Sequence, residues 1–100
     1  VNREFAEVLQ KVDVLVTPTM TQPAPAFEGY DATSTVRGPS FTAPFNLTGL
    51  PAISVPCGFT ASGLPVGMQI AGKPFDEPGV IRAAYAYQQE ARWFEQRPSI

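Results

Sequence analysis

The sequence predicts an α/β fold in which a mixed β-sheet is flanked by helices. Three observations carry that prediction. Val80, Ala84, Tyr87, Ala91 and Phe94 form a 4, 3, 4, 3 stripe, the signature of one buried helix face. Residues 12 to 17 are β-branched and almost continuously apolar. Two further apolar segments, 52–55 and 66–71, each follow a Gly-Leu-Pro turn at 49–51 and 63–65. The resulting order is helix, strand, loop, helix, strand, strand, helix, which suits helices packed on a sheet.

Each element has a local cause. Asn2 can cap a helix over Arg3 to Lys11, with Glu4 and Lys11 placed favourably for its dipole. Phe5, Val8, Leu9 and Val12 share one stripe. The run 12–17 suits a strand covered on both faces, as in a mostly parallel sheet, and Pro18 should stop it. Residues 18–40 form a long irregular loop, rich in Pro, Thr and Ser and without either period. So long a loop is uncommon inside a compact domain, and it is expected to drape over protein beyond this chain. Phe41, Phe45 and Thr48 fall on one face of a short helix ending at Gly49, with Pro44 in its first turn. Ala52 to Val55 is a short strand closed by Pro56. In Val66 to Ala71, Val66, Met68 and Ile70 alternate with small or polar residues. The intervening CGFTASG reads as the loop of an antiparallel hairpin. Asp76 caps the closing helix, 76–95, whose first turn holds Glu77 and Pro78.

The chain has 100 residues, enough for one domain, with 44% apolar and only 16% charged residues. That balance is globular and opposite to a disordered segment. A net charge of −2 with scattered basic residues leaves no footprint for nucleic acid, and no apolar run approaches a membrane span. A single cysteine, Cys57, precludes an internal disulfide and fits a reducing cytoplasm. Nothing suggests a secretory leader, so the triplet Asn46-Leu47-Thr48 is read as coincidence and not as a glycosylation site. The first residue is Val1, followed at once by helical periodicity, from which a chain cut from something longer is expected.

The chemistry the chain lacks is as telling. Without histidine, neither a serine–histidine–aspartate nor a cysteine–histidine site is available, and a zinc site is nearly excluded. No glycine pattern cradles a phosphate, so no metal and no cofactor is expected. The five serines, Ser34, Ser40, Ser54, Ser62 and Ser99, are isolated from one another. Lys73 precedes Pro74 at a strand end and reads as a solvated rim charge rather than a base. Cys57, between Pro56 and Gly58, lacks a base partner and reads as a small packing residue. Gln69 points opposite Met68, where a satisfied structural hydrogen bond is expected rather than a ligand contact. No catalytic residue is assigned.

The stretch PFNLTGLPAISVPCGFTASGLPVGMQIAG, residues 44 to 72, followed by KPFDE, resembles the carboxy-terminal part of the amidase signature family. The resemblance extends from DVLVTPT at 13–19 to Arg97-Pro98. It implies the amidase signature fold, and an activity on carbon–nitrogen amide bonds that uses a nucleophilic serine, a cis-serine and a lysine. The family keeps its two serines in a Gly-Gly-Ser-Ser-Gly-Gly kind of run, which this chain lacks, so the chain alone should be inert. The resemblance also makes the short helix before the first Gly-Leu-Pro a wall of the acyl-binding channel. Phe41, Thr42, Phe45 and Asn46 then become candidates to face a small-molecule amide substrate, both phenylalanines fitting a core equally well. Arg37 is a candidate to hold a substrate carboxylate or carbonyl, or else a solvated loop cation.

Two alternatives stand beside a general amidase. One is a piece of the A subunit of a glutamyl-tRNA amidotransferase, a sister group in which an aspartate precedes the Asn-Leu-x-Gly motif. Here that neighbourhood is Gly38-Pro39-Ser40, without an acid, which favours the general amidase. The other is a stand-alone interaction module that kept the fold and lost the chemistry. The apolar strands of the isolated chain are expected to drive self-association.

Overall fold

The computed structural model describes residues 2–31, 33 and 39–99. Its elements are α1 (Asn2–Leu9), β1 (Val14–Pro18), α2 (Ala43–Thr48), β2 (Ala52–Phe59), β3 (Pro65–Gly72), α3 (Glu77–Ala91) and a closing 3₁₀ turn (Trp93–Glu95). The three strands form one sheet in the order β1-β3-β2. An α/β architecture is therefore what this sequence builds.

Both pairings are antiparallel. Thr17 lies opposite Gln69 and Val14 opposite Gly72, while Ile53 faces Ile70 and Val55 faces Met68. The run 12–17 thus does not build a parallel pair here, and Val16 is 58% exposed, so β1 is not covered on both faces. Pro18 is the last residue of β1, as the sequence predicts, but Pro56 does not close β2. Pro18 pairs with Met68, and Pro56 pairs with Gly67 inside a β2 that runs on to Phe59. Both lie on edge strands, where a missing backbone donor removes nothing from the ladder. Between Pro56 and Gly58 the register slips by one residue, making Cys57 the extra residue of a β-bulge. The hairpin loop is accordingly shorter than CGFTASG, and it is tied by Thr60 N–H to Leu64 O at 2.8 Å.

Side-chain alternation gives the sheet two unlike faces. On one, Val55 and Ile70 are buried together with Val80 and Ala84 of α3, and Val14, Ile53, Met68 and Tyr87 pack around them. Burying each such aliphatic side chain is worth about 1.5–3 kcal/mol, which is what holds α3 to the sheet. The helix begins where Asp76 accepts a hydrogen bond from Gly79 N–H at 3.1 Å. It stops at Ala91, because Arg92 (φ −10°, ψ 39°) leaves helical geometry. The expected single helix over 76–95 is therefore a helix followed by a separate turn, and that turn sets Trp93 edge-on to Phe59 with ring centroids 6.1 Å apart.

At the other end of the chain, Asn2 is itself helical rather than a cap, and Lys11 lies in the turn after α1. In α2, Gly49 takes the left-handed conformation (φ 72°) and its N–H donates to Phe45 O, as the Gly-Leu-Pro signal foretold. Phe41 precedes α2 rather than lying on its face.

Candidate functional site

The second face of the sheet is small and polar. Leu15 and Thr17 of β1, Gly67, Gln69 and Ala71 of β3, and Ala52 and Ser54 of β2 share it by register. Gln69 is the buried polar residue among those described. Burying a side-chain amide is costly unless its hydrogens are used. Both are: Nε2 donates to Thr17 Oγ1 at 3.0 Å and to Phe41 O at 2.9 Å. Thr17 Oγ1 in turn donates to Pro18 O. Beside this group the hydroxyls of Thr19 and Ser54 lie 2.6 Å apart, and Thr19 N–H donates to Gly67 O. Gly67 makes room for the pair, since a Cβ there would sit 3.0 Å from Ser54 Oγ.

Two open clefts, of about 680 and 550 Å³, flank this polar face. One wall of both is the irregular segment from Thr19 to Pro25, in which every residue from Met20 onward is exposed. Opposite that wall, the larger cleft is lined by Tyr30, Asp31, Ser40, Phe41 and Thr42. The smaller reaches Ser54, Val66 and Gly67. The Asp31 carboxylate accepts from the Thr33 hydroxyl at 2.7 Å and from the Thr33 N–H at 3.0 Å, and these bonds lower its pKa from the ordinary aspartate value.

The predicted substrate-facing residues separate. Phe41 and Thr42 line the larger cleft. Phe45 is buried, and its ring is tilted against Phe5 of α1 with centroids 5.4 Å apart. Asn46 is exposed on α2 and lines neither cleft. Arg37 lies outside the described residues. Ser40, absent from the candidate set, organises the entry to α2: its Oγ accepts from Ala43 N–H at 3.0 Å and from Thr42 N–H at 3.3 Å. Gln69 makes the structural hydrogen bonds expected of it, but its partners, Thr17 Oγ1 and the Phe41 carbonyl, could not be named from the sequence. The only trace of that pairing in the sequence is a lone glutamine among small residues in an otherwise apolar strand.

The cleft serines among the described residues, Ser54 and Ser40, have threonine hydroxyls and not a base as side-chain partners. Among the described residues no lysine hydrogen-bonds a serine, and Lys73 Nζ instead meets Asp13 Oδ1 at 3.4 Å on the surface. Cys57 sits on the bulge, half-buried. What the arrangement offers is shape: an apolar and hydroxyl-bearing wall, fixed to a sheet.

Known proteins share this fold. The family described as Amidase matches residues 1–81. The A subunit of glutamyl-tRNA(Gln) amidotransferase from Thermodesulfovibrio yellowstonii is 47% identical over 104 residues, covering 100% of this chain and 21% of that protein. Among solved structures, the same subunit from Thermotoga maritima superposes with a TM-score of 0.79 at 39% identity, covering 92% of this chain and 20% of that one. An allophanate hydrolase from Kluyveromyces lactis superposes with a TM-score of 0.77 at 29% identity, covering 90% and 15%. The chain thus spans about a fifth of the length of the curated relatives it matches. The family match takes in residues 1–81 and does not mark the chain as the family's carboxy-terminal portion, which the sequence suggests, while the alignment to the amidotransferase A subunit extends over the whole chain. With a family match over 81 of its residues and the same fold in solved relatives, the chain belongs to the amidase family.

Proposed function

We propose that this chain forms part of a longer enzyme that cleaves the carbon–nitrogen bond of an amide, to which it contributes sheet and one wall of the substrate cleft. The observation that carries the reading is that the family-matched residues contain both clefts entire, yet hold no lysine-assisted serine among those described. The attacking serine and its proton-handling partners then stand on the remainder of the protein. A serine hydroxyl attacks the carbonyl, the nitrogen leaves with a proton, and an acceptor resolves the acyl-enzyme. Phe41 and Thr42 shape the space for the acyl group. A reducing, cytoplasmic setting belongs to the same proposal and rests on the lone Cys57.

A second reading is favoured by one observation. The amidotransferase A subunits are 47% identical to this chain, against 29% for the allophanate hydrolase. On that reading the released nitrogen passes to glutamate held on a tRNA, and partner subunits are needed. Against it stands the absence of an acid at residues 38–40.

Expression of the complete reading frame separates the two. Ammonia released from simple carboxamides by the protein alone supports the hydrolase. Release from glutamine that requires partner subunits and glutamyl-tRNA supports the transferase. Silence towards every amide under both conditions overturns the proposal.

A further inference from the structure

The geometry points to Gln69 as a positioning residue for the substrate wall, acting through the Phe41 carbonyl; this deepens the proposed amide-cleaving function and rests on it. Gln69 occupies the central strand, between Thr17 and Ser54 in register, and is only 5% exposed. Its amide has two N–H donors spread by a fixed angle, and each has one acceptor. One acceptor, Thr17 Oγ1, belongs to the neighbouring strand and is itself oriented by donating to Pro18 O. The other, Phe41 O, lies 28 residues away in sequence, on the stretch that leads into α2.

That stretch has little else to hold it to the sheet. Among the described residues its remaining hydrogen bonds are local: Thr42 and Ala43 N–H donate to Ser40 Oγ, the Ser40 and Thr42 hydroxyls lie 3.3 Å apart, and Phe45 and Asn46 N–H donate to Thr42 O. Among the described residues, Gln69 Nε2 to Phe41 O is the one hydrogen bond from residues 39–42 to a strand. The Phe5–Phe45 contact anchors α2 further along but leaves the direction of the Phe41 peptide open. With strand and carbonyl joined by one rigid amide, the sheet dictates where the Phe41 and Thr42 side chains enter the cleft. Glutamate at this position would present acceptors to two acceptors, and methionine would fill the volume without holding anything. Glutamine alone among residues of this length supplies two donors from one neutral nitrogen. The wall binds the acyl group without touching the reacting atoms, so loosening it should weaken substrate binding and leave turnover nearly unchanged.

The test uses the full-length enzyme with Gln69→Met, Thr17→Ser, Thr17→Val and the core control Ile53→Val. Steady-state kinetics are read together with hydrogen exchange over residues 41–45. Gln69→Met is expected to raise KM about five- to tenfold, the scale of one lost hydrogen bond, with kcat within about twofold. Exchange over 41–45 should quicken in parallel. Thr17→Ser, which keeps the acceptor, should match the parent, and Thr17→Val should raise KM about two- to threefold. Ile53→Val, destabilising but remote from the cleft, should move neither KM nor the local exchange. If Gln69→Met does not fold, Thr17→Val against Thr17→Ser decides the matter. Unchanged KM and exchange in Gln69→Met, or an equal KM rise in Ile53→Val, overturns the inference. An enzyme inert to all amides ends the functional reading instead. Exchange then judges Gln69 alone: protection lost in Gln69→Met and kept in Thr17→Ser upholds it, and protection unchanged ends it.

Discussion

Gly72 shows how one missing methyl sets the packing of this sheet. A Cβ at that position would lie 2.6 Å from Cγ2 of Val80, whose side chain is confined within the core beneath α3. Because Val80 has no free space into which to turn, Gly72→Ala should cost about 1–3 kcal/mol, the usual range for overpacking. Urea denaturation measures it. In a Gly72→Ala/Val80→Ala double variant the two losses should be markedly less than additive, since the smaller side chain removes the collision. Additive losses would show that the backbone, and not Val80, resists the methyl. At Asp31 the relevant quantity is charge. Its folded pKa is depressed, first by the Thr33 hydroxyl and then by the Thr33 N–H. The stabilisation those bonds give the turn is thus present above the ordinary aspartate pKa and is lost as pH falls through the depressed value. An NMR titration of the Asp31 carboxyl should show a midpoint below the ordinary one, and Thr33→Val should move it upward. A midpoint that ignores Thr33→Val would rule out the hydroxyl as the cause.

Among the elements, α3 depends on its first turn. Asp76 Oδ1 accepts from Gly79 N–H, and a side chain at Gly79 would collide with that same carboxylate. Asp76→Ala should therefore destabilise the chain by about 1 kcal/mol, whereas Asp76→Asn, still an acceptor, should lose little. Thermal unfolding followed by circular dichroism distinguishes them, and equal losses for the two variants would assign the effect to charge instead of the cap. This helix, like the turn at Gly49, was legible because its signals lie within four residues of the structure they cause. The apolar alternation of β3 and the hairpin were legible for the same reason. What was not legible was set at a distance. Thr17 and Gln69 stand 52 residues apart in sequence, so neither residue names its partner. Helical spacing put Phe41 and Phe45 on one face, yet Phe45 stacks on Phe5 while Phe41 lines the cleft. Pro18 does end β1, but Pro56 reads as a terminator without being one, because a proline's effect on a strand depends on whether that strand is an edge. Only the sheet order β1-β3-β2 settles that.

The whole molecule is a slab. Its principal extents are 43 × 35 × 18 Å and its radius of gyration is 15.3 Å, above the roughly 13 Å typical of a compact chain of this length. Among the described residues no large side chain is wholly buried, while Phe27 and Phe75 are 100% and 92% exposed and Leu47, Tyr85 and Ile81 are also open. Among the described residues both outer strands present an unpaired edge, a ready template for further pairing. A thin layer with apolar residues on its surface hides them most readily against more protein, which in relatives about five times longer is plentiful. Purified alone, the 100 residues are accordingly expected to self-associate, and light scattering across a concentration series should show mass rising with concentration. Charged substitutions at Leu47, Ile81 and Tyr85 should lower that mass without lowering helix content, because none of these side chains supports the core. A monomer at every concentration, unfolding in one cooperative step, would mean that one covered sheet face and α3 suffice by themselves, and that the exposed aromatics need no cover.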